Sequence, residues 1–359
     1  MSAMRIPTLS GLETKTLSTH RITTRVLFRG KHTGEAILFL HGNWSCATWW
    51  EETLLALPEG YRGIAPDLRG YGEADEHQKV DARRGTRDWV DDLISLMDNL
   101  NIDKADIVGC SLGGYILWQF MLDHPGRILS VILVNPGSPY GFSGTKDEAG
   151  TPCYPDHAGT GGGIRNKMLI QRAMKKDRSL ESEYSPRAGI RSLFIDPYIP
   201  EREEALLSSV LSTHLGDRDL PGDYITTPNW PFVAPGNWGP QNATSPKYAV
   251  DIQKLLDGRI SIPILWIRGS HDQVVSDQST SDVGYLGSLG IIPGWPGEEK
   301  YPPQPMIRQT RAVLEKYKAA GGFYEEVIVQ NAAHIPFIEK PDDFNGVFHK
   351  FLMKKQKRL

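Results

Sequence analysis

Three widely separated residues in this 359-residue chain, Ser111, Asp272 and His334, are of types that together make a hydroxyl group reactive. A serine hydroxyl becomes a nucleophile when a histidine takes its proton, and a carboxylate orients that histidine. Ser111 lies between two glycines in the sequence GCSLG at residues 109–113. Glycines fit such a tight turn because side chains there would collide with the neighbouring strand and helix.

The elements around Ser111 support this interpretation. A short apolar run at residues 105–108 predicts a strand before the serine, and a strongly apolar run at residues 115–121 predicts a helix after it. A serine at such a strand-to-helix turn is a nucleophile elbow. Because the chain contains 36 glycines, a G-x-S-x-G match alone is weak evidence. It needs an acid and then a base further along the chain.

His334 is the predicted base. It follows an apolar strand at residues 326–329 and precedes a predicted helix at residues 341–352, so it lies on a loop after the last strand. A lone histidine is more often structural than catalytic. The order serine, aspartate, histidine favours the catalytic interpretation here.

Asp272 is the predicted acid, in a turn after the nearly continuous apolar run at residues 262–267, which is typical of a buried parallel strand. A turn aspartate can also simply cap its own loop. Asp277 and Asp282 are alternative candidates for the acid.

Two backbone N–H groups are predicted to stabilise a developing oxyanion. One belongs to Leu112, directly after the serine at a helix start, and the other to Asn43 in the loop after the apolar strand 36–40. His41 begins that loop and is interpreted as a hydrogen-bonding brace. Cys110 is interpreted as a small buried apolar group.

In these motifs the chain resembles the α/β-hydrolase fold superfamily. The matching segments are the His41-Gly42 loop, the segment APDLRGYG at 65–72, the Ser111 elbow, and the loops of Asp272 and His334. The resemblance implies a mostly parallel sheet with helices on both faces and an inserted, mainly helical cap. Within the superfamily, the loop residues look most like ester- and lactone-cleaving members. Haloalkane dehalogenases and epoxide hydrolases carry aspartate where this chain has Ser111, which argues against both activities.

Alternating strand and helix patterns predict a core formed by residues 1–137 and 249–359, with residues 138–248 as the cap. Helices are predicted at 164–175 and 202–215 within the cap. A cap over the carboxyl ends of the strands would exclude water and shape the substrate pocket. The aromatic residues expected to line that pocket are Trp44, Trp230, Phe232 and Trp238.

Bulk composition is that of an ordinary globular chain. Hydrophobic residues make up 40% and the formal net charge is −3, which gives no indication of nucleic-acid binding. The three cysteines favour a reducing compartment over a disulfide scaffold, and no signal or membrane-spanning segment is evident, so a cytoplasmic location is expected. We expect a monomer or homodimer that acts on a small molecule, without a metal or organic cofactor.

The predicted activity is therefore hydrolysis of a carboxylic ester or lactone through an acyl-enzyme. Two alternatives remain open from the sequence. One is another serine-based reaction, either carbon–carbon bond hydrolysis or cleavage of an amide or N-terminal peptide bond. The other is a ligand-binding receptor that retains the three residues.

Overall fold

A computed structural model of the chain describes residues 6–355. Its centre is an eight-stranded sheet in the order β1-β2-β4-β3-β5-β6-β7-β8. Strand β2 is antiparallel to both of its neighbours, β1 and β4. All the other neighbouring strands are parallel. The strands are β1 (Glu13–Ser18), β2 (Thr23–Arg29), β3 (Glu35–Leu40), β4 (Tyr61–Pro66), β5 (Ala105–Cys110), β6 (Ile128–Val134), β7 (Ile264–Gly269) and β8 (Tyr324–Val329).

Helices connect these strands and cover both faces of the sheet. They are α1 (Glu51–Leu55), α2 (Arg87–Asn99), α3 (Leu112–Asp123), α4 (Lys167–Met174), α5 (Pro186–Arg191), α6 (Glu203–Leu211), α7 (Pro240–Ala243), α8 (Gln253–Leu256), α9 (Val283–Ser288), α10 (Met306–Ala319), α11 (Pro336–Glu339) and α12 (Pro341–Lys355). Single 3-10 turns occur at Ala47–Trp50, Ala82–Arg84, Pro125–Arg127, Gly162–Ile164 and Pro246–Tyr248. Within residues 6–355, no helix has the length and apolar character needed to cross a bilayer.

The central strands are mostly apolar because both of their faces are buried. Successive side chains of a strand point to opposite faces, so Ile107 joins one apolar cluster and Val108 the other. The same alternation along β6 sends Leu133 to the first cluster and Val134 to the second. This confirms the prediction of a doubly covered, mostly parallel sheet.

The strand register aligns the ends of five parallel strands. Leu40 at the end of β3 pairs with Gly109, and Cys110 at the end of β5 pairs with Val134. On the other side, the last residue of β7, Gly269, pairs with the last residue of β8. The loops that follow these strands therefore emerge side by side at one edge of the sheet.

Residues 138–248 contribute no strand to the main sheet. The segment contains α4 to α7 and four strands of two or three residues, at Leu215–Gly216, Leu220–Pro221, Tyr224–Thr226 and Val233–Pro235. Helix α4 is shorter than predicted because the Asn166 side chain caps it, accepting hydrogen bonds from the N–H groups of Met168 and Leu169. The division of the chain into core and cap stays a prediction.

Candidate active site

Ser111 occupies a strained turn between β5 and α3. Its φ of 52° and ψ of −106° lie outside the ordinary strand and helix regions. Three backbone hydrogen bonds hold the turn: the N–H of Ser111 donates to Val134, and its carbonyl accepts from Gly114 and Gly137. The preceding Cys110 is buried, and burial raises the pKa of its thiol. The turn therefore fixes Ser111, while Cys110 lies in the interior.

Glycines are needed where this elbow packs closely against its surroundings. A Cβ atom on Gly113 would lie 2.5 Å from the carbonyl oxygen of Leu40, and one on Gly109 would lie 2.6 Å from the backbone of Gly113. A side chain at either position would force the strand and helix apart. This agrees with the sequence-based reason for placing glycines around the serine.

His334 and Asp272 form a direct hydrogen bond. Nδ1 of His334 lies 2.9 Å from Oδ2 of Asp272, and both side chains are almost fully buried. Oδ1 of the aspartate accepts hydrogen bonds from the N–H groups of Val274 and Val275, at 2.8 and 3.0 Å. Because an ionised carboxylate only accepts hydrogen bonds, the proton of a neutral His334 lies on Nδ1, and Nε2 remains an acceptor.

The alternative acids have structural roles. Oδ1 of Asp277 accepts from the first backbone N–H groups of α10, while Asp282 caps α9 and accepts from Ser143. Of the three candidates, Asp272 is the one hydrogen-bonded to His334.

The loop after β3 passes directly beside Ser111. A Cβ atom on Gly42 would lie 3.4 Å from the Cβ of Ser111. His41 braces this loop: its Nε2 accepts from the N–H of Leu68 at 3.0 Å, and its Nδ1 lies 2.8 Å from the carbonyl oxygen of Gly42. Burial lowers the pKa of His41 to about 4, so the ring is neutral at physiological pH.

Asn43 is held by its own side chain. Its Oδ1 accepts hydrogen bonds from the hydroxyl of Tyr71 and from the N–H of Trp44, at 2.8 and 2.9 Å. Across the described part of the chain, the backbone N–H groups of Asn43 and Leu112 have no hydrogen-bond acceptor. Both are available to a bound group.

One buried amide side chain links the loops that carry the aspartate and the histidine. Nδ2 of Asn135, just after β6, donates to the carbonyl oxygens of Ala333 and His334, at 3.1 and 2.7 Å. Its Oδ1 accepts from the N–H of Gly269 at 3.0 Å, three residues before Asp272. Asn135 therefore ties the base loop to the acid loop.

Residues 138–248 also contact the histidine loop. The backbone N–H of His334 donates to the carbonyl of Leu193 at 3.0 Å. The carboxylate of Glu339 accepts from the N–H groups of Ala333 and Ile195, at 2.6 and 2.7 Å. The position of the histidine thus depends on this segment as well as on the sheet.

Ser111 and His334 line one cavity of about 220 Å³, together with Asn43, Leu112 and Trp44. The segment 138–248 contributes a large part of the opposite wall. Its lining residues are mostly apolar: Phe142, Leu169, Pro186, Ile190, Leu193 and Val210. The cavity therefore combines the predicted reactive groups with an apolar surface suited to a small organic molecule.

The other three aromatic residues predicted for the pocket lie elsewhere. Trp230 is buried against Tyr301, with ring centroids 5.0 Å apart, and Phe232 is 59% exposed to solvent. The ring of Trp238 packs beneath the guanidinium of Arg218 at 3.9 Å. The prediction is corrected for these three residues, because none of them lines the cavity: Trp230 packs against residues of the segment 283–301, and the other two lie at the surface or beneath an arginine.

Four residues at or near the cavity were not identified from the sequence: Tyr115, Asn135, Arg165 and Gln241. Asn135 had one usable signal, an amide residue directly after a buried parallel strand. The other three had none, because nothing in a single sequence shows which polar side chains, on the helix after the elbow or in residues 138–248, face the cavity.

Comparisons with known proteins agree with this fold. Residues 35–152 match a family model described as the alpha/beta hydrolase fold. Epoxide hydrolase 2 of Siraitia grosvenorii is 38% identical over 122 residues, which are 34% of this chain and 38% of that protein. The 2-hydroxymuconate semialdehyde hydrolase of Pseudomonas sp. (strain CF600) is 34% identical over 104 residues, covering 28% of this chain and 36% of that protein.

A solved structure extends the comparison to nearly the whole chain. Carboxylesterase CesB (YbfK) of Bacillus subtilis superposes with a TM-score of 0.57 at 18% identity, over 95% of this chain and 91% of that one. By contrast, the chain spans less than two fifths of the length of either curated relative above. The fold is therefore shared over nearly the whole chain, whereas the sequence similarity to these two curated relatives covers 34% and 28% of it.

Proposed function

We propose that this chain, a member of the α/β-hydrolase fold superfamily, is a serine hydrolase that cleaves carboxylic esters or lactones. One observation carries the proposal: Asp272 holds His334 by a 2.9 Å hydrogen bond at a cavity that Ser111 also lines. In the proposed roles, Ser111 is the nucleophile, His334 the general base and Asp272 the residue that orients the base.

The proposed reaction has two steps. First, Nε2 of His334 takes the hydroxyl proton of Ser111 while the serine oxygen bonds to the substrate's carbonyl carbon. The same proton then passes to the leaving alkoxide as its bond to that carbon breaks, so that alcohol departs and an acyl-serine remains. In the second step His334 deprotonates a water that attacks the acyl group, and the proton returns to Ser111 as the acid leaves. A lactone gives a single hydroxy acid.

The N–H groups of Asn43 and Leu112 are the proposed oxyanion donors. Both lie beside the elbow, and neither is used by the described protein. Each such donor typically lowers the barrier by about 3–4 kcal/mol, because it already points at the position where negative charge develops. The bracing of His41 and the side-chain bonds of Asn43 keep this loop fixed during the reaction.

Residues 138–248 are proposed to act as the cap that selects the substrate. Their apolar side chains face the cavity, and its volume of about 220 Å³ favours small acyl groups. Epoxide opening, the activity named for one relative, is not proposed here because that chemistry in this superfamily uses an aspartate at the position of Ser111.

Carbon–carbon bond hydrolysis is the second candidate, favoured by the similarity to 2-hydroxymuconate semialdehyde hydrolase. It uses the same serine and histidine but needs a substrate whose leaving group is a carbanion equivalent. Turnover of vinylogous diketones in preference to p-nitrophenyl esters would support this candidate over the first.

The test combines turnover with covalent labelling. Purified protein is expected to release p-nitrophenol from p-nitrophenyl acetate and butyrate, and to form a single adduct with a fluorophosphonate, detected by intact mass. Ser111→Ala should abolish both signals, whereas Ser288→Ala, which alters an exposed serine, should change neither. Undiminished turnover by Ser111→Ala would show that the nucleophile is wrongly assigned.

A further inference from the structure

One cationic side chain reaches the candidate active-site cavity without a carboxylate partner. Arg165 lies just before α4, is partly buried and lines the same cavity as Ser111. Among residues 6–355, no acidic residue forms an ion pair with it, and no aspartate or glutamate lines the cavity. The other arginines in or between α4 and α5 all form ion pairs with carboxylates; they are Arg172, Arg178, Arg187 and Arg191.

The contacts of Arg165 position its charge without neutralising it. Nε and one Nη2 hydrogen of the guanidinium both point to Oε1 of Gln241, at 2.8 and 2.5 Å. The ring of Phe142 lies 6.0 Å from the guanidinium carbon. An amide oxygen and an aromatic ring leave the full positive charge in place, and Nη1 has no acceptor in the described protein. Burial of the group lowers the pKa of Arg165.

A second polar group beside Arg165 also lacks a partner. The hydroxyl of Tyr115, on the first turn of α3, is shielded from solvent and has no hydrogen-bond partner. Burial raises the pKa of this tyrosine and the positive charge of Arg165 opposes the rise, so the two groups interact electrostatically. A buried hydroxyl without a partner is costly, and so is a partly buried guanidinium with unused N–H groups and no carboxylate partner, because such groups are normally paired.

We propose that Arg165 and Tyr115 bind a carboxylate carried by the substrate. The guanidinium offers Nη1 and the remaining Nη2 hydrogen, which match the two oxygens of a carboxylate, and the tyrosine hydroxyl donates a further hydrogen bond. This proposal rests on the proposed ester hydrolysis and narrows it to half-esters of dicarboxylic acids, or to lactones that carry a free acid group. Arg165 is then a specificity-determining residue.

The same network reaches the oxyanion loop. Oε1 of Gln241, which fixes Arg165, also accepts a long hydrogen bond of 3.4 Å from Nδ2 of Asn43. The carboxylate subsite and the proposed oxyanion donor therefore share one buried amide. Binding of the acid group at Arg165 positions the substrate relative to the loop that stabilises its reacting carbonyl.

The test compares two substrates, mono-p-nitrophenyl adipate and its methyl ester, of which only the first carries a negative charge. The rate of spontaneous hydrolysis is subtracted from each measured rate. Wild-type protein is expected to prefer the acid by at least about tenfold in kcat/KM. Arg165→Gln should lower the ratio of kcat/KM for the acid to kcat/KM for the methyl ester by about 10- to 100-fold, as expected for losing a hydrogen bond to a charged group. Arg165→Lys should retain part of the preference, because it keeps the charge but not the paired donors.

Tyr115→Phe and Arg172→Gln complete the set. Tyr115→Phe should lower the ratio of kcat/KM for the acid to kcat/KM for the methyl ester by about tenfold. Arg172→Gln removes a paired arginine of the same segment and should leave the ratio between the two substrates unchanged. Equal rates for the acid and its methyl ester with wild-type protein would overturn the carboxylate subsite, whatever the variants do.

A binding measurement separates failure of this proposal from failure of the proposed function. Calorimetric titration with adipate is expected to give binding to wild-type protein and to Ser111→Ala, and none to Arg165→Gln. If adipate binds in this pattern but no ester is hydrolysed, the subsite stands and ester hydrolysis fails. If esters are hydrolysed but adipate binding does not depend on Arg165, the subsite fails and ester hydrolysis stands.

Discussion

Replacing Asn135 should impair both stability and catalysis, although its side chain does not line the cavity. The side chain makes three buried hydrogen bonds, to Ala333, to His334 and to Gly269. Asn135→Ala removes all three and leaves two carbonyl groups and one N–H buried without partners. Because each unsatisfied buried group costs about 1–3 kcal/mol and part of this is relieved by relaxation or water, we expect a loss of about 3–5 kcal/mol in unfolding free energy.

The catalytic effect follows from the position of these bonds. They fix the backbone of His334 relative to the strand that leads to Asp272, and a displacement of about 1 Å can cost roughly 100-fold in rate. We therefore expect kcat/KM to fall by about that factor even where the variant is fully folded. The loss should appear mainly in kcat, because the substrate cavity itself is unchanged.

Two further variants isolate the hydrogen bonds. Asn135 has a φ of 38°, which asparagine tolerates better than alanine, so part of the effect of Asn135→Ala is backbone strain. Asn135→Asp keeps the shape of the side chain but turns a carboxylate oxygen towards the two carbonyl groups, and should be impaired as well. Gln330→Ala changes an exposed residue of the same loop region and serves as the control.

Unfolding free energies are measured by urea titration. Steady-state hydrolysis of p-nitrophenyl acetate is measured without urea, at a temperature where each variant is folded. If Asn135→Asp keeps the wild-type kcat/KM, the idea that this amide positions the base is refuted. A stability loss without any loss of kcat would likewise assign Asn135 a purely structural role.

Three other perturbations test the remaining parts of the site. Asp272→Asn should lower kcat by up to about 10⁴-fold with little change in KM, because an amide can donate to Nδ1 of His334 and favour the wrong histidine tautomer. A fall in kcat of less than tenfold would contradict the role assigned to Asp272. Burial lowers the pKa of His41 to about 4, whereas an unfolded histidine takes up its proton near pH 6.5, so the unfolded state binds more protons between these values. The unfolding free energy, measured by urea titration, should therefore fall by about 3 kcal/mol as the pH drops from 6.5 to 4. His41→Asn should remove this contribution to the pH dependence of the unfolding free energy. An unchanged pH dependence would count against a buried neutral His41 ring. Gly113→Ala places a Cβ 2.5 Å from the carbonyl oxygen of Leu40 and should cost about 1–3 kcal/mol in the same assay, whereas Gly126→Ala, with no atom within 4 Å, should be close to neutral.

The sequence predicts the central sheet well for a simple physical reason. Parallel strands buried on both faces must be apolar at most positions, so β3, β6 and β7 stand out as short apolar runs. Strand β1 does not, because it is the exposed edge strand and its residues are mostly polar. Helix capping is also hard to predict from the sequence: Thr86 stands at the N-cap position of α2, but its hydroxyl does not cap the helix and contacts the carbonyl of Tyr115 at 3.4 Å.

The candidate catalytic residues can be located in the sequence because chain order and strand ends constrain them. Ser111, Asp272 and His334 each follow a parallel strand, and the carboxyl ends of those strands meet at one edge of the sheet. No such rule applies to the inserted segment. Phe232, for example, has a φ of 69° and turns outward, and nothing in its neighbouring sequence distinguishes it from an inward-facing aromatic residue.

The same limit explains why the charge of the cavity is visible only in three dimensions. Arg165 and Gln241 come from opposite ends of the inserted segment, and Tyr115 comes from the helix after the elbow. Taken singly, each is an ordinary polar residue, but together they place a guanidinium without a carboxylate partner and a hydroxyl without an acceptor in the cavity that Ser111 lines. A fold optimised for stability alone would pair or replace such groups, because an uncompensated buried charge costs free energy. Unpaired polar groups are expected where a ligand supplies the missing partner. The Arg165 and Tyr115 side chains lie in the cavity that Ser111 and His334 share, and this position connects them to the proposed reaction.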